Sequence, residues 1–160
     1  MLVTESAQQV ASQSVGYANP SLPPSTASNR MGVAVGAGWV KATDGTQIVK
    51  ARSLVLETEP TDFFGQNSKN WRIELMNSSI GSGVYYLGDK LDNMTGTKSL
   101  ANGEKGNYYA VAALAAIAQL LPHDQPHRVQ VVEVVCSIPT QGMKEQLGTL
   151  KGHHLVSING

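Results

Sequence analysis

The sequence predicts an α/β fold in which helices pack on a mixed β-sheet. Short apolar strands separated by turn signals fill residues 31–56, and a valine-rich strand follows an alanine-rich helix further along the chain. The element order is three strands, a small hairpin, and then helix, strand, helix, strand. Because helices link the later strands, a mixed sheet covered by helices is the natural architecture.

The first thirty residues have the composition of a tail. They are rich in Ser, Gln, Ala and Pro, and three prolines interrupt any helix. Such a segment does not bury enough apolar surface to offset its ordering entropy. Residues 1–30 are therefore expected to be a disordered or linker-like tail, with a partner-binding arm as the alternative. Residues 31–160 are expected to form the folded domain.

The domain opens with a predicted three-stranded meander. Apolar residues favour the strands, and Asp44-Gly45 is a strong hairpin signal. The predicted parts, in order, are the strand Met31–Val35, the turn Gly36-Ala37-Gly38, the strand Trp39–Ala42 and the strand Ile48–Leu56.

The rest of the chain supplies a second hairpin and the helix-linked strands. The helix from Asn107 is rich in alanine, apolar on nearly its whole circumference and stopped by Pro122, so burial is expected. Residues 57–70 are expected to be a loop, and residues 88–105 polar and irregular. The predicted elements are Trp71–Met76, Val84–Leu87, the helix Asn107–Leu121, Val129–Cys136, the helix Gln141–Leu150 and His154–Ile158.

Composition excludes several classes of protein. The formal net charge is zero and 15% of residues are charged, which argues against a broad surface for nucleic acid or anionic lipid. The single cysteine, Cys136, allows no intramolecular disulfide and fits a reducing compartment. The longest apolar stretch, Tyr108 to Leu121, is too short to span a bilayer. A cytoplasmic protein with no membrane partner is expected.

The glycine turn at residues 36–38 has two interpretations. Glycines serve ordinary tight hairpins. They also let backbone N–H groups approach an anion, and Lys41 would then add a positive charge. The turn and the lysine do not decide between these interpretations.

Several stretches together resemble the actin fold. The segment VGAGWVKATDGTQIVKARSLV resembles its first phosphate loop and opening meander. Three further matches occur in the same order as in bacterial and archaeal actin-like proteins. They are YYLGDKL, the buried helix YYAVAALAAIAQLL, and VVEVVCSIPT followed by LKGHHLVSING. The resemblance covers residues 31–160 and is strongest to plasmid-partitioning, ParM-type ATPases.

The resemblance implies the first lobe of a two-lobe, ribonuclease-H-like ATPase fold. It implies that Gly36, Ala37, Gly38 and Trp39 wrap the β- and γ-phosphates of ATP and that Lys41 reaches them. The intact protein is then expected to bind ATP with magnesium and to self-associate into filaments. It is expected to move plasmid DNA through an adaptor protein.

This sequence departs from that family in two respects. Ala34 stands where the family usually has an aspartate that helps to organise the metal. The sequence also ends at Gly160, before the residue that positions the attacking water and before the second phosphate loop. The chain alone is therefore expected not to hydrolyse ATP and to bind no cofactor tightly. No catalytic or metal-ligating residue is assigned.

Two other functions remain open at this level. The chain is alternatively a non-enzymatic self-assembly or partner-binding module with a relic phosphate loop, which Ala34 favours. A sugar-kinase-like or chaperone-like ATPase lobe shares the fold, although nothing in the sequence indicates a sugar pocket.

Overall fold

The computed structural model describes residues 2–3, 29–57, 70–92, 94–102, 108–122, 132–137 and 141–158. Its two helices are α1 (Tyr108–Leu120) and α2 (Gln141–Gly148). Short 3₁₀ turns cover Asp89–Leu91 and Leu100–Asn102. The strands are β1 (Leu2–Val3), β2 (Asn29–Val35), β3 (Trp39–Thr43), β4 (Ile48–Arg52), β5 (Leu54–Glu57), β6 (Trp71–Ser78), β7 (Gly83–Leu87), β8 (Lys98–Ser99), β9 (Val132–Ser137) and β10 (His154–Ile158).

The first sheet is mixed and contains the predicted meander. Its strand order is β1-β9-β2-β3-β4, in which β9 runs parallel to β2 and the other pairs are antiparallel. The β3–β4 turn is built around Asp44, whose carboxylate accepts hydrogen bonds from the N–H groups of Thr46 and Gln47. These bonds lower the pKa of Asp44. The predicted hairpin signal at Asp44-Gly45 is confirmed.

The second sheet is entirely antiparallel, with the order β10-β6-β7-β5-β8. It contains the predicted second hairpin, β6 and β7. The element order predicted one mixed sheet, and the structure has two. The last strand, β10, pairs with β6 of the second sheet rather than with β9 or β2 of the first. The expectation that residues 88–105 are irregular needs a similar correction, since Lys98–Ser99 adds β8 to β5.

Helix α1 fills the space against which both sheets pack. Eleven of its thirteen residues are buried, as its apolar circumference predicts. The small side chains of Ala112, Ala113 and Ala116 are fully enclosed. Apolar residues of β2 and β3 lie in the same core as Ile73 and Leu87 of the second sheet. One continuous core therefore holds the two sheets together through this helix.

Three hydrogen bonds made by Tyr109 and His154 fix the positions of elements around the core. The hydroxyl of Tyr109 donates to the carbonyl of Leu100 at 2.6 Å inside the core. His154 Nε2 is 3.0 Å from the carbonyl of Leu150, so Nε2 carries the proton. In the neutral imidazole Nδ1 then accepts from the Ser78 hydroxyl at 2.7 Å, and this contact ties β10 and the chain after α2 to β6.

Most predicted elements occur close to their expected bounds. The long third strand is the main exception, because it divides at Ser53 into β4 and β5, which belong to different sheets. Within the predicted tail, Leu2–Val3 forms an edge strand and β2 begins at Asn29. The remainder of that tail and residues 58–69 of the predicted loop 57–70 lie outside the described residues, whereas Glu57 ends β5. No helix in the described ranges is long and apolar enough to cross a membrane.

Replacing Gly88 by alanine should destabilise the second sheet. Gly88 has φ of +140°, and a Cβ there would lie 2.6 Å from Asn70 Oδ1 and 3.2 Å from Asn70 Cα. Asn70 is itself buried and accepts the N–H of Lys90. Backbone strain and overpacking together should lower the free energy of unfolding by about 3 kcal/mol in urea denaturation.

Gly96→Ala is the matched control for Gly88→Ala. Gly96 also has positive φ, +86°, but its nearest neighbour is Leu56 Cδ1 at 3.5 Å. The free energy of unfolding of Gly96→Ala should fall by about 1 kcal/mol, which is the cost of the backbone conformation alone. Equal losses in the two variants would show that Asn70 moves aside and that the clash contributes nothing.

Candidate functional site

The glycine turn is a tight connection between β2 and β3. The N–H of Gly36 donates to the carbonyl of Trp39 at 3.0 Å, which closes the turn around Ala37 and Gly38. Both of those residues are exposed. Val35 and Val40, which flank the turn, are buried in the core. The turn is therefore anchored at both ends while its tip faces solvent.

Ser53 holds the turn from behind. Its side chain is 1% exposed, and its hydroxyl donates to the carbonyl of Gly36 at 2.5 Å. Its N–H donates to the carbonyl of Gly38 at 3.1 Å. Its own carbonyl accepts the N–H of Leu100 at 3.0 Å. One buried residue thus fixes two carbonyls of the turn and joins it to the second sheet.

These bonds determine where the amides of the turn point. A trans peptide group directs its C=O and N–H in opposite directions, and the described peptide bonds are all trans. Since the carbonyls of Gly36 and Gly38 face Ser53, the N–H groups of Ala37 and Trp39 face away from it. Two backbone donors that face away from Ser53 and have no described acceptor suit an anion.

The two glycines of the turn are not required by backbone conformation. Neither has positive φ, whereas Gly45 and Gly81, in other hairpin turns, do. A Cβ on Gly38 would meet no atom within 4 Å. The ordinary-hairpin interpretation therefore leaves Gly38 unexplained. Close approach of a ligand to the backbone gives a reason for it.

The first sheet has one face without a covering helix among the described elements, which we call the outer face. Across it, Ser137, Ala34, Lys41 and Lys50 lie side by side on β9, β2, β3 and β4. Directly opposed residues point to the same face of a sheet. We call these four residues the rung. Ala34 is half-buried and the other three are exposed.

Trp39 lies on the outer face next to the rung. It is 40% exposed, so its role is not in the core. The ammonium of Lys50 lies 5.3 Å from its ring centroid and the guanidinium of Arg52 lies 5.7 Å away. Cation–π contacts of this kind are worth about 0.5–1 kcal/mol at exposed sites. The indole thereby orders two cations beside the glycine turn.

The electrostatic character of this part of the outer face is positive. Within the described residues, no carboxylate forms a salt bridge with Lys41, Lys50 or Arg52. Glu133, which lies on the same face on β9, pairs with Arg30 at 3.1 Å. Three cations beside a glycine turn form an arrangement that attracts phosphate or a similar anion.

The structure brings all five predicted site residues to one region. Gly36, Ala37 and Gly38 form the turn, Trp39 begins β3, and Lys41 follows on the same outer face. Cys136, on β9, packs against the core, and burial raises the pKa of its thiol. No three His, Cys, Asp or Glu side chains cluster as metal ligands within the ranges that the structure covers.

Sequence reasoning missed Ser53, Lys50 and Arg52. Nothing local marks Ser53, which lies 17 residues after Gly36 in an otherwise continuous strand pattern. The two cations become neighbours of the turn only through the register of β3 against β4, in which Trp39 opposes Arg52 and Lys41 opposes Lys50.

Comparison with solved structures shows an actin-like, ParM-type fold. The apo ParM protein of psk41 matches 83% of this chain with a TM-score of 0.56 and 18% sequence identity. A 15-stranded ParM filament from Clostridium botulinum matches 82% with a TM-score of 0.60 and 15% identity. Bacillus thuringiensis ParM with AMPPNP matches 82% with a TM-score of 0.57 and 13% identity.

At these low identities the similarity shows a shared fold, and this chain matches only part of each of those proteins. This chain spans 46%, 42% and 40% of the lengths of the three structures, respectively. No family model matches the sequence, and no curated protein is significantly similar to it.

Ser53→Ala should loosen the glycine turn. The change removes the donor to Gly36 in a buried position, so the free energy of unfolding should fall by about 1–2 kcal/mol. The N–H of Gly36 should exchange with solvent faster in NMR experiments. Ser82→Ala is the control, because the exposed Ser82 hydroxyl makes only a 3.5 Å contact with the carbonyl of Met76. Equal stability and exchange in the two variants would contradict the role of Ser53.

Proposed function

We propose that this chain is the first lobe of an actin-like, filament-forming protein of the plasmid-segregation type. Its phosphate-binding residues are Gly36, Ala37, Gly38, Trp39 and Lys41. The observation that carries the proposal is the glycine turn, in which the carbonyls of Gly36 and Gly38 are fixed on Ser53, so that the next two amides face away from Ser53. The ParM-type fold supports it.

In the intact protein the nucleotide would be ATP, held between this lobe and a second one. One of the similar ParM structures contains AMPPNP and another contains ADP. Self-association head to tail through a heterologous contact whose rotation does not close would produce an open filament. DNA would be reached through an adaptor protein, which agrees with the neutral composition. A cytoplasmic location without a membrane partner follows from this role.

A second function, a non-enzymatic self-assembly module with a relic phosphate loop, is favoured by one observation. Ala34 gives the rung a methyl group where the resemblance to ParM-type ATPases implies an aspartate. Exposed apolar side chains on the outer face, such as Ile48 at 75% exposure, offer surface for such contacts. A monomer that persists at all concentrations, with no bound partner, would count heavily against this function.

Titration calorimetry with ATP and magnesium tests the phosphate site. The parent chain should bind weakly, and Ala34→Asp should bind magnesium–ATP about tenfold tighter because the added carboxylate can help to organise the metal. Lys41→Ala in that background should abolish the gain. Lys144→Ala, at an exposed lysine of α2, should change nothing. Absence of binding in both the parent and the Ala34→Asp variant would favour the self-assembly module.

ATP hydrolysis by this chain alone should stay at background. Phosphoryl transfer needs charge stabilisation on both sides of the γ-phosphate and a metal. The glycine turn and Lys41 provide one side. Phosphate release should therefore equal that of a buffer blank in a coupled assay. Turnover well above background that Lys41→Ala removes would show that the lobe is catalytically complete.

A further inference from the structure

Lys50 lies opposite another lysine, an arrangement that solubility alone does not explain. It lies directly opposite Lys41 in the β3–β4 ladder, and both are exposed on the outer face. Like charges directly opposite each other destabilise an antiparallel pair. No described carboxylate pairs with either ammonium group. The fold therefore gains nothing from this charge pair, whereas an anion placed over both would gain from each.

The rung does not fit a magnesium ion. Magnesium takes oxygen ligands, and in proteins it is usually held through one or two carboxylates together with substrate phosphates and water. The four neighbouring side chains are instead a hydroxyl, a methyl and two ammonium groups, from Ser137, Ala34, Lys41 and Lys50. Two adjacent positive charges repel a divalent cation and attract a phosphate chain.

The outer face continues this positive charge towards the glycine turn. Arg52 lies two residues after Lys50 on β4, which is about 7 Å along a strand. Trp39, its cross-strand neighbour, contacts both cations. The ammonium end of Lys50 is therefore held by the indole, which lowers the entropy lost when an anion binds.

From this arrangement we propose that the rung binds a polyphosphate without magnesium, and that Lys50 supplies the positive charge a metal would otherwise provide. The ligand class is an inorganic triphosphate or the free triphosphate tail of a nucleotide. This inference rests on the proposed phosphate site at the glycine turn and extends it to Lys50 and Arg52. Lys50 is a binding residue here and takes no part in a reaction.

The test is titration calorimetry of inorganic triphosphate and of ATP, each in EDTA and in excess magnesium. The parent chain should bind both ligands in EDTA, and magnesium should weaken binding because it neutralises the ligand. Lys50→Met keeps the aliphatic stem against Trp39 and removes the charge, so affinity in EDTA should fall about tenfold. Lys50→Arg should restore most of it. Lys144→Met, a charge-matched control on α2, should bind like the parent.

A second comparison changes Ala34, which lies on the opposite side of Lys41 from Lys50. Ala34→Asp places a carboxylate directly opposite Lys41, so affinity in EDTA should fall and binding should become magnesium-dependent. A parent chain that binds only with magnesium, or Lys50→Met and Lys144→Met variants with equal affinities, would overturn the role of Lys50 while leaving the proposed phosphate loop intact. No binding of either ligand in the parent or in Ala34→Asp would overturn both.

Discussion

The structure depends on the three hydrogen bonds of Ser53. This buried residue stands where the chain leaves the first sheet and enters the second, between β4 and β5. Its hydroxyl and N–H hold the carbonyls of Gly36 and Gly38, and its carbonyl receives the N–H of Leu100. Because the same residue fixes the strand crossing and the turn, the orientation of the outward amides follows from the packing of the two sheets. Burying the Ser53 hydroxyl without a hydrogen-bond partner would cost its full desolvation free energy, so burial of Ser53 requires its bond to Gly36.

The elements that depend on local pattern were predictable, and those that depend on distant contacts were not. The alanine-rich run gives α1, and Asp44 determines the hairpin after β3, because both are decided within a few residues. The break at Ser53 could not be predicted from the sequence, because the residues before and after it have the same apolar pattern. The pairing of β10 with β6 was equally hidden. It depends on contacts more than 70 residues apart, among them the Ser78–His154 bond.

The same division applies to the site. The glycines and Lys41 are close in sequence, so resemblance to a known loop was enough to select them. Lys50 required the register of β3 and β4, and four residues, 44–47, separate the two strands. Several turn geometries fit a connection of that length, and a shift by one residue would move Lys50 to the core face. The orientation of the turn amides was harder still to predict from the sequence, because it follows from hydrogen bonds to Ser53, a residue outside the hairpin.

Ala34 and Lys50 together determine the net charge of the rung. An acid and a lysine on neighbouring strands would leave the rung nearly neutral, and such a surface gains from a metal–phosphate pair that brings both signs of charge. With a methyl group at Ala34 and a second ammonium at Lys50, the rung carries two positive charges and no negative one. Water screens their repulsion while the outer face is exposed. Burying that face against another surface would remove the screening, so an anion would be needed there to balance the charge.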